Sequence, residues 1–329
     1  MTKDAAQQSN WTFYEAVIIG KKMEDKTPLI LEIKGNSLDD GPGIRSVVFF
    51  KGCPLSCVWC HNPESKKAVR EISFDANVCV GCGTCREICS SNALSPGSPG
   101  YIDRDRCDLC FACVDACPSG ALARVGLFMS VDDILATVLP DKPFYDSSDG
   151  GVTLSGGEPT LYMDFTAQLL QALKGNGIQT LVETCGHFDP DRFMERIYPH
   201  TDIIYFDIKL IDQAAHNRYC GISNTTILNN FKRLVHAATR DGKSMLPRTP
   251  LIPGITDTDT NIQQIADYLD SLGIKKAALL AYNPLWHEKT DKIGARDPYK
   301  NDSTLTTFAD QSAMDRCRRI YNNAGITPV

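Results

Sequence analysis

The sequence contains no run of apolar residues long enough to cross a membrane, since a spanning helix needs about 20 of them. Its first residues, MTKDAAQQSNWTFYEAV, lack the apolar core of a secretory signal peptide. Positive charge is also scarce, because 34 Lys and Arg stand against 40 Asp and Glu, a net charge of −6. That balance argues against a nucleic-acid-binding face as the main surface. We therefore expect a cytoplasmic protein with neither a membrane nor a nucleic-acid partner.

Cysteine, by contrast, is abundant: the 329 residues include 14, and eleven of them lie between Cys53 and Cys117. Without a secretory signal, a disulfide scaffold is the weaker interpretation. Thiols spaced two or three residues apart indicate metal binding instead. The other three cysteines, Cys185, Cys220 and Cys317, have no such spacing and are predicted to be small core residues.

Apolar strands alternate with amphipathic helices over most of the chain, which predicts a parallel sheet covered by helices. The predicted strands are residues 46–50, 152–155, 180–183, 202–209, 244–251 and 277–282. The predicted helices are residues 161–174, 191–197, 225–239, 261–272 and 307–323. Six βα units fit an open or incomplete barrel better than a closed barrel of eight.

The chemically distinctive residues follow the ends of these strands. Cys53, Gly156, Glu183, Asp207 and Asn283 each fall at or just after the carboxyl end of a predicted strand. In parallel α/β proteins the active site is built at that edge of the sheet. We expect these residues to surround one site.

The first cysteine motif is C-x3-C-x2-C, formed by Cys53, Cys57 and Cys60. Three thiolates leave one iron of a four-iron cluster without a protein ligand. An open coordination position is where a substrate or cofactor binds a metal directly, as at catalytic zinc. The alternative on spacing alone is a structural zinc site with His61 as the fourth ligand.

A second pattern, C-x2-C-x2-C-x3-C, occurs twice and matches bacterial two-cluster ferredoxins, in which the fourth cysteine of each run binds the other cluster. The predicted ligand sets are therefore Cys79, Cys82, Cys85 with Cys117, and Cys107, Cys110, Cys113 with Cys89. The first run is followed by Ser90 where the pattern has proline. Two zinc knuckles are the alternative, although these usually combine two separated C-x2-C pairs.

Several segments together resemble one enzyme family. The three-cysteine motif, with Trp59 before its last cysteine, resembles the signature of radical S-adenosylmethionine (SAM) enzymes, and residues 156–159 resemble their GGEP segment. Residues 40–45 (DGPGIR), the string FFKGCPLSCVWCHNPES and the Asp207-Ile208-Lys209 segment resemble the activating enzymes of glycyl radical enzymes. The resemblance extends from about Leu29 to the C-terminal region.

This resemblance implies an α/β fold, a partial (β/α)6 barrel of the radical SAM type with an inserted small ferredoxin-like domain. Residues 27–64 and 126–329 would form the barrel and residues 65–125 the insert, preceded by an N-terminal arm of residues 1–26. The implied cofactors are three 4Fe-4S clusters and SAM. The residues implied to contact SAM are Trp59, Gly156, Gly157, Glu158, Glu183, Asp207, Lys209 and Asn283.

The resemblance also implies individual roles. Glu158 would accept a hydrogen bond from the SAM amino group, and Lys209, oriented by Asp207, would pair with its carboxylate. Related pyruvate formate-lyase activators carry Asp at the position of Glu183 and His at that of Asn283. Arg248 is either a partner for an anionic group or part of a structural salt bridge.

The implied activity is reductive cleavage of SAM, followed by removal of a hydrogen from a backbone glycine of a partner glycyl radical enzyme. An electron donor such as ferredoxin or flavodoxin would supply the electron. The two ferredoxin-like clusters would relay electrons, dock the donor or support the fold. One alternative is a radical SAM enzyme that acts on a small molecule or matures another protein. A non-enzymatic alternative, an enlarged ferredoxin, leaves the three-cysteine loop and GGEP unexplained.

Overall fold

The computed structural model describes residues 27–329, so the predicted N-terminal arm lies outside the described residues. The strands are β1 (Leu29–Ser37), β2 (Arg45–Lys51), β3 (Glu71–Phe74), β4 (Leu122–Val125), β5 (Leu127–Phe128), β6 (Gly151–Gly156), β7 (Gln179–Thr184), β8 (Ile203–Asp207), β9 (Ser244–Leu251), β10 (Lys276–Ala281) and β11 (Thr327–Pro328).

Helices separate these strands along the chain. They are α1 (Thr84–Ile88), α2 (Ala112–Asp115), α3 (Val131–Val138), α4 (Lys142–Ser148), α5 (Met163–Gly175), α6 (Pro190–Arg192), α7 (Gln213–Cys220), α8 (Thr225–Asp241), α9 (Asp259–Ser271), α10 (Trp286–Lys292) and α11 (Gln311–Asn323). Two 3-10 turns also matter for the site, Pro63–Ser65 and Pro99–Tyr101.

One large sheet organises the molecule, with the strand order β11-β10-β9-β8-β7-β6-β2-β1-β5. The six strands β2 and β6 to β10 run parallel in consecutive order, which confirms the predicted α/β fold and its six βα units. Antiparallel β1 and β5 extend one side, and the short parallel β11 extends the other. In the described part of the chain the sheet is open, a partial barrel.

The central strands are buried on both faces, as expected for strands covered by helices. Val152 and Leu154 of β6 are fully buried, and the neighbouring β7 contributes Leu181 and Val182. Helix α8 presents an apolar stripe that includes Phe231, which packs edge-on to Phe206 of β8 at 5.0 Å between ring centroids. Burial of this kind is the main stabilising contribution to the fold.

A buried arginine joins the starts of three strands. Arg45, the first residue of β2, has no exposed surface. Its Nε donates to Thr153 Oγ1 at 2.7 Å, and its Nη1 donates to Gln179 Oε1 at 2.9 Å. The segment of residues 40–45, which carries part of the family resemblance, therefore lies at the amino edge of the sheet, opposite the cysteine loop.

Several sequence-based boundaries were wrong. The last helix begins at Gln311 rather than residue 307, because the Asp310 side chain accepts from Ser312 N and caps the helix. The predicted helix 191–197 is the single turn α6 followed by a π-helical turn, Phe193–Ile197. The elements missing from the prediction are β1, β3, β4, β5, β11, α1, α2, α3, α4, α7 and α10.

The cysteine-rich region has its own small sheet and core. Strands β3 and β4 pair antiparallel, so the chain enters and leaves this region side by side. Between them six buried residues form a separate apolar cluster: Ile72, Leu94, Ile102, Phe111, Cys113 and Leu122. This cluster is far smaller than the core around the large sheet. No helix in residues 27–329 is both long and apolar enough to cross a membrane.

Candidate active site

The GGEP segment is fastened to the start of the three-cysteine loop. Gly157 N donates to Phe50 O, and Glu158 N donates to Gly52 O, both at 2.8 Å. A Cβ on Gly156 would lie 2.6 Å from Phe50 N, and one on Gly157 would lie 2.1 Å from Gly52 O. Only glycine allows this approach, which joins two motifs that are about a hundred residues apart in sequence.

The other side of the cysteine loop rests on the end of helix α7. Ser56 N donates to Cys220 O at 2.9 Å, and Val58 N donates to Tyr219 O at 3.0 Å. These carbonyls are in the last turn of the helix, where intrahelical donors are missing. Gly221 follows with a φ of 87°, and a Cβ there would lie 2.1 Å from Ser56 Oγ. The loop is thus clamped between β6 and α7.

The three thiols of the loop influence one another. Burial, with smaller contributions from the neighbouring thiols of Cys57 and Cys53, raises the pKa of Cys60 to about 12 against the opposing charge of Lys66. A hydrogen bond from Cys220 lowers the pKa of Cys57 to about 7 despite burial, and Lys209 contributes in the same direction. The loop therefore holds three adjacent sulfur donors, one of which favours the thiolate form.

Glu158 is completely buried and engaged by its own chain. Its Oε1 accepts from Thr160 N, Thr160 Oγ1 and Thr184 Oγ1 at 3.1, 2.7 and 2.9 Å. Its Oε2 accepts from Cys185 N at 2.7 Å. The carboxylate thereby holds the end of β7 against the GGEP turn. The role predicted from the resemblance, binding the SAM amino group, stays a prediction.

Four charged side chains form a network at the carboxyl ends of β7, β8 and β9. Arg248 Nη1 donates to Glu183 Oε1 at 2.5 Å, and its Nη2 donates to Asp207 Oδ1 at 3.0 Å. Lys209 Nζ donates to the other oxygen of Asp207 at 2.9 Å. The guanidinium of Arg248 also lies 5.0 Å from the Tyr205 ring centroid. Arg248 therefore makes the salt bridges that the sequence left as one of two alternatives.

The electrostatics of this network favour the charged forms of Lys209 and Asp207. Burial lowers the pKa of Lys209, but Asp207 and the thiols of Cys57 and Cys185 raise it, so that the net pKa is above its ordinary value. Burial raises the pKa of Asp207, but Lys209 and Arg248 more than offset this effect. The ammonium group of Lys209 is therefore held in its charged form against Asp207.

Two further residues that were predicted to contact SAM make other contacts within the chain. Trp59 is buried, and its ring centroid lies 6.5 Å from that of Tyr219, so it packs the cysteine loop onto α7. Asn283, two residues beyond β10, accepts a hydrogen bond from Leu285 N at 3.0 Å through its side chain and shapes the turn before α10. Contact of either residue with SAM stays a prediction.

In the cysteine-rich region, one cavity of about 190 Å³ collects four thiols from both runs. Its lining includes Cys79, Cys82, Cys85 and Cys117, together with Tyr101, whose hydroxyl lies 3.7 Å from Cys85 Sγ. This is the first of the two ligand sets that the spacing predicts. The crossing of Cys117 into the first run is what the ferredoxin pattern requires.

The second set is also brought together. Burial, together with the neighbouring thiols of Cys107, Cys89 and Cys110, raises the pKa of Cys113 to about 11. Cys89 Sγ accepts a hydrogen bond from Ala93 N at 3.3 Å, the kind of contact that favours a thiolate. The donor sets present at both positions suit iron–sulfur clusters.

All fourteen cysteines are free thiols, so the disulfide alternative is wrong. Among residues 27–329 no three His, Cys, Asp or Glu side chains meet around a point that would hold one metal ion. A four-iron cluster makes a different demand, because each thiolate binds a separate iron.

Sequence reasoning missed two residues of this site. Cys185 and Cys220 are buried in the main core, as predicted, but they lie beside the cysteine loop. Burial and, after it, a hydrogen bond with Cys53 raise the pKa of Cys185. The Cys220 thiol forms a hydrogen bond with the Cys57 thiol. The position of Cys185, directly after strand β7, was the available signal for its place at this edge.

Known proteins with similar sequences share these motifs. Residues 104–269 match the radical SAM superfamily, residues 78–122 match a 4Fe-4S dicluster domain, and residues 39–85 match a 4Fe-4S single cluster domain. The isethionate sulfite-lyase activating enzyme of Nitratidesulfovibrio vulgaris is 40% identical over 80% of this chain and 86% of its own. The (2S)-3-sulfopropanediol dehydratase activating enzyme of Klebsiella oxytoca is 37% identical over 91% of this chain and 95% of its own.

The chain belongs to the glycyl radical enzyme activating enzymes of the radical SAM superfamily. As a member of this group, the enzyme uses an iron–sulfur cluster and SAM to generate a radical on a glycyl radical enzyme. Its fold is similar to that of a radical SAM methyltransferase from Sphaerobacter thermophilus, with a TM-score of 0.51 and 13% identity over 92% of this chain and 76% of that chain.

Proposed function

We propose that this activating enzyme binds three 4Fe-4S clusters: a catalytic one at Cys53, Cys57 and Cys60, and two auxiliary ones in an inserted domain of residues 65–125. The catalytic cluster, when bound, supplies one electron that cleaves the C5′–S bond of SAM into methionine and a radical that takes hydrogen from the partner's glycine. The products are 5′-deoxyadenosine and a glycyl radical.

The observation that carries this proposal is the attachment of the GGEP segment to the cysteine loop. The hydrogen bonds from Gly157 and Glu158 to Phe50 and Gly52 bring two glycines without Cβ atoms against the backbone that leads directly into Cys53. A ligand chelating an iron through its amino and carboxylate groups would meet open backbone there. A structural zinc site has no need of this arrangement.

The charged network would receive the methionine end of SAM. Lys209 interacts electrostatically with the thiols of Cys57 and Cys185, and it is held by Asp207, which is itself held by Arg248. A carboxylate arriving beside Lys209 would meet a fixed positive charge in a largely buried setting, where such contacts are stronger than in water. Glu183, paired with Arg248 and hydrogen-bonded by Ser155 at 2.6 Å, keeps that guanidinium in place.

The auxiliary clusters would relay electrons toward the catalytic one from a low-potential carrier such as ferredoxin or flavodoxin. The exposure of the auxiliary cysteines supports this role, because Cys79 and Cys82 are both exposed, whereas Cys57 of the catalytic loop is buried. A cluster at the surface can exchange electrons directly with a docked protein, whereas a buried cluster needs another redox centre between it and the donor.

The protein substrate would approach across the carboxyl edge of the sheet. The partner's glycine loop would lie near Cys60 and Asp207, entering through the side that the open sheet leaves free. Similarity does not favour one partner reaction, since relatives named for a lyase and a dehydratase match at 40% and 37% identity. The gene next to that of this enzyme is the first place to find the partner.

The deciding experiment mixes the reduced enzyme, SAM and the candidate partner without oxygen and records the electron spin resonance spectrum. We expect a doublet that collapses when the partner's glycine carries deuterium at Cα. The matched control is a partner with that glycine replaced by alanine, which should give 5′-deoxyadenosine without the doublet. If a small molecule is converted in proportion to 5′-deoxyadenosine while no partner radical forms, the enzyme acts on that molecule and our proposal is wrong.

A further inference from the structure

Helix α10 touches both cluster-binding regions. It packs against the 3-10 turn Pro63–Ser65, which follows the catalytic loop, and against Pro99–Tyr101 in the cysteine-rich region. Its first residue, Trp286, is buried and donates through Nε1 to Tyr282 Oη at 2.7 Å, which ties the helix to the end of β10. The helix is therefore a short bridge rooted in the barrel.

Two lysines of helix α10 attach it to the two cluster-binding regions. Lys289 Nζ donates to Asn62 Oδ1 at 2.9 Å and lies 3.4 Å from a Glu64 carboxylate oxygen, just after the last catalytic cysteine. Lys292 Nζ lies 2.9 Å from an Asp75 carboxylate oxygen, just before the first auxiliary cysteine. Adjacent turns of one helix thus bind residues that flank two different cluster sites.

The closest approach is backbone against backbone. A Cβ added to Gly294, just after α10, would lie 2.5 Å from the Pro99 carbonyl oxygen. A Cβ added to Gly100 would lie 2.7 Å from Gly294 Cα. Both glycines have positive φ, 60° and 58°. With any other residue at either position, the cysteine-rich region would have to move away from the helix.

We propose that α10 sets the distance between the catalytic and auxiliary clusters, with Gly294 and Gly100 as the positioning residues that permit the close packing. This inference rests on the proposed three-cluster function. Electron transfer through protein falls steeply with the distance between redox centres. A displacement of the cysteine-rich region would therefore slow electron delivery without altering the SAM pocket.

The test compares Gly294→Ala with Gly273→Ala in the full-length enzyme. Both glycines have positive φ, 60° and 74°, so both substitutions strain the backbone, but nothing lies within 4 Å of a Cβ at Gly273. The first readout is the spin–spin interaction between the reduced clusters, measured by pulsed electron spin resonance. We expect Gly294→Ala to weaken it and Gly273→Ala to leave it unchanged.

The second readout is the rate of 5′-deoxyadenosine formation with two reductants. Reduced flavodoxin must deliver electrons by docking, whereas titanium(III) citrate is small enough to reach each cluster. We expect the rate of Gly294→Ala to fall several-fold more with flavodoxin than with titanium(III) citrate. Unchanged spin–spin interaction and equal rates in Gly294→Ala would overturn the inference.

A double variant keeps the test decisive if Gly294→Ala loses iron. Replacing Lys289 and Lys292 with Met removes the charged attachments without adding bulk at the glycine contact, and both side chains are partly exposed. It should reproduce both effects in the same direction, and a double variant indistinguishable from the parent would sink the proposal. Iron content separates the two hypotheses, because a parent enzyme holding only about four irons contradicts the three-cluster function itself.

Discussion

The two cluster-binding regions are supported in different ways. The catalytic loop is a short connection clamped between β6 and α7, at the edge of a sheet with a large apolar core. The cysteine-rich region has only six residues in its own buried cluster and two helices, α1 and α2, of five and four residues. A core this small does not keep a region folded by itself unless disulfides or bound metal stabilise it.

The comparison indicates that the two kinds of cluster contribute differently to stability. The barrel would fold whether or not its catalytic cluster is present, and it would then bind the cluster in a prepared loop. The cysteine-rich region would gain much of its folding free energy from metal binding, as small metal domains do. The variants below test this contrast, from the largest expected effect to the smallest.

The largest effect is expected when Cys53, Cys57 and Cys60 are all replaced by Ala. SAM cleavage should be abolished, and the iron content of anaerobically prepared enzyme should fall by about four from about twelve. Thermal unfolding of the barrel, followed by circular dichroism, should change little, because the core around the sheet is intact. Residual 5′-deoxyadenosine formation, or zinc as the main tightly bound metal, would contradict the assignment.

The second effect is expected in the cysteine-rich region, from Cys82→Ala or Cys110→Ala. Each should destabilise an auxiliary cluster and make residues 65–125 sensitive to limited proteolysis while the barrel stays resistant. If the clusters relay electrons, activity with reduced flavodoxin should fall far more than activity with a strong chemical reductant.

Cys317→Ala is the matched control, since this fully buried cysteine lies in the core around the large sheet and is not among the predicted cluster ligands. Equal losses with both reductants would favour a structural role for the auxiliary clusters. Protease resistance in the Cys82 and Cys110 variants would show that the region does not depend on its metal, and the contrast drawn above would be lost.

The third effect is expected from Lys209→Met. Loss of a charge-assisted contact of about 1.5–3 kcal/mol should weaken SAM binding by roughly tenfold to a hundredfold. Equilibrium binding of SAM to the reconstituted enzyme measures this directly. Lys174→Met is the control, because Lys174 forms a comparable pair with Asp202 at 2.7 Å that is remote from the cysteine loop and more exposed. Unchanged SAM affinity in Lys209→Met would remove this residue from the pocket.

The sequence predicted the features that depend on local spacing. The six parallel strands were predicted from short apolar segments, and residues such as Gly156 and Asp207 were assigned to their carboxyl ends correctly. The first auxiliary thiol set was predicted because the ferredoxin spacing defines it, although Cys117 lies far from Cys79 in sequence. Helix α3 was missed although Ser130 and Asp133 form a capping box at its start, and α4 was missed because seven residues are too few to show a helical pattern.

Contacts between distant residues were beyond the reach of sequence patterns. Lys289 and Asn62 are 227 positions apart, and nothing in the sequence around either residue signals their hydrogen bond. The structural use of Glu158 was likewise missed, since its hydrogen bonds depend on where β7 ends. The position of Cys220 beside the catalytic thiols follows from packing alone, whereas Cys185 could have been placed there because it directly follows strand β7.

The smallest effect is expected from Arg124→Ala, which tests how much side-chain packing stabilises the cysteine-rich region compared with the barrel. Arg124 forms a half-exposed ion pair with Asp115 at 2.7 Å, and its guanidinium lies 5.0 Å from the centroid of Phe111, a member of the small core. An exposed ion pair and a cation–π contact together contribute about 1 kcal/mol. In a region with so few buried residues, this loss should raise hydrogen exchange of residues 71–125 about fivefold.

A matched change on the barrel, Arg233→Ala, removes a similar exposed pair with Asp191 at 2.6 Å. It should leave hydrogen exchange in residues 71–125 unchanged. The free energy of global opening of the barrel should also change only slightly, because an exposed ion pair contributes little compared with the large core. Mass-spectrometric exchange on the cluster-loaded enzyme measures both regions in one experiment. If Arg124→Ala alters only residues within strand β4, metal binding rather than side-chain packing stabilises the cysteine-rich region. If both variants open their regions equally, the two cores do not differ in the way proposed.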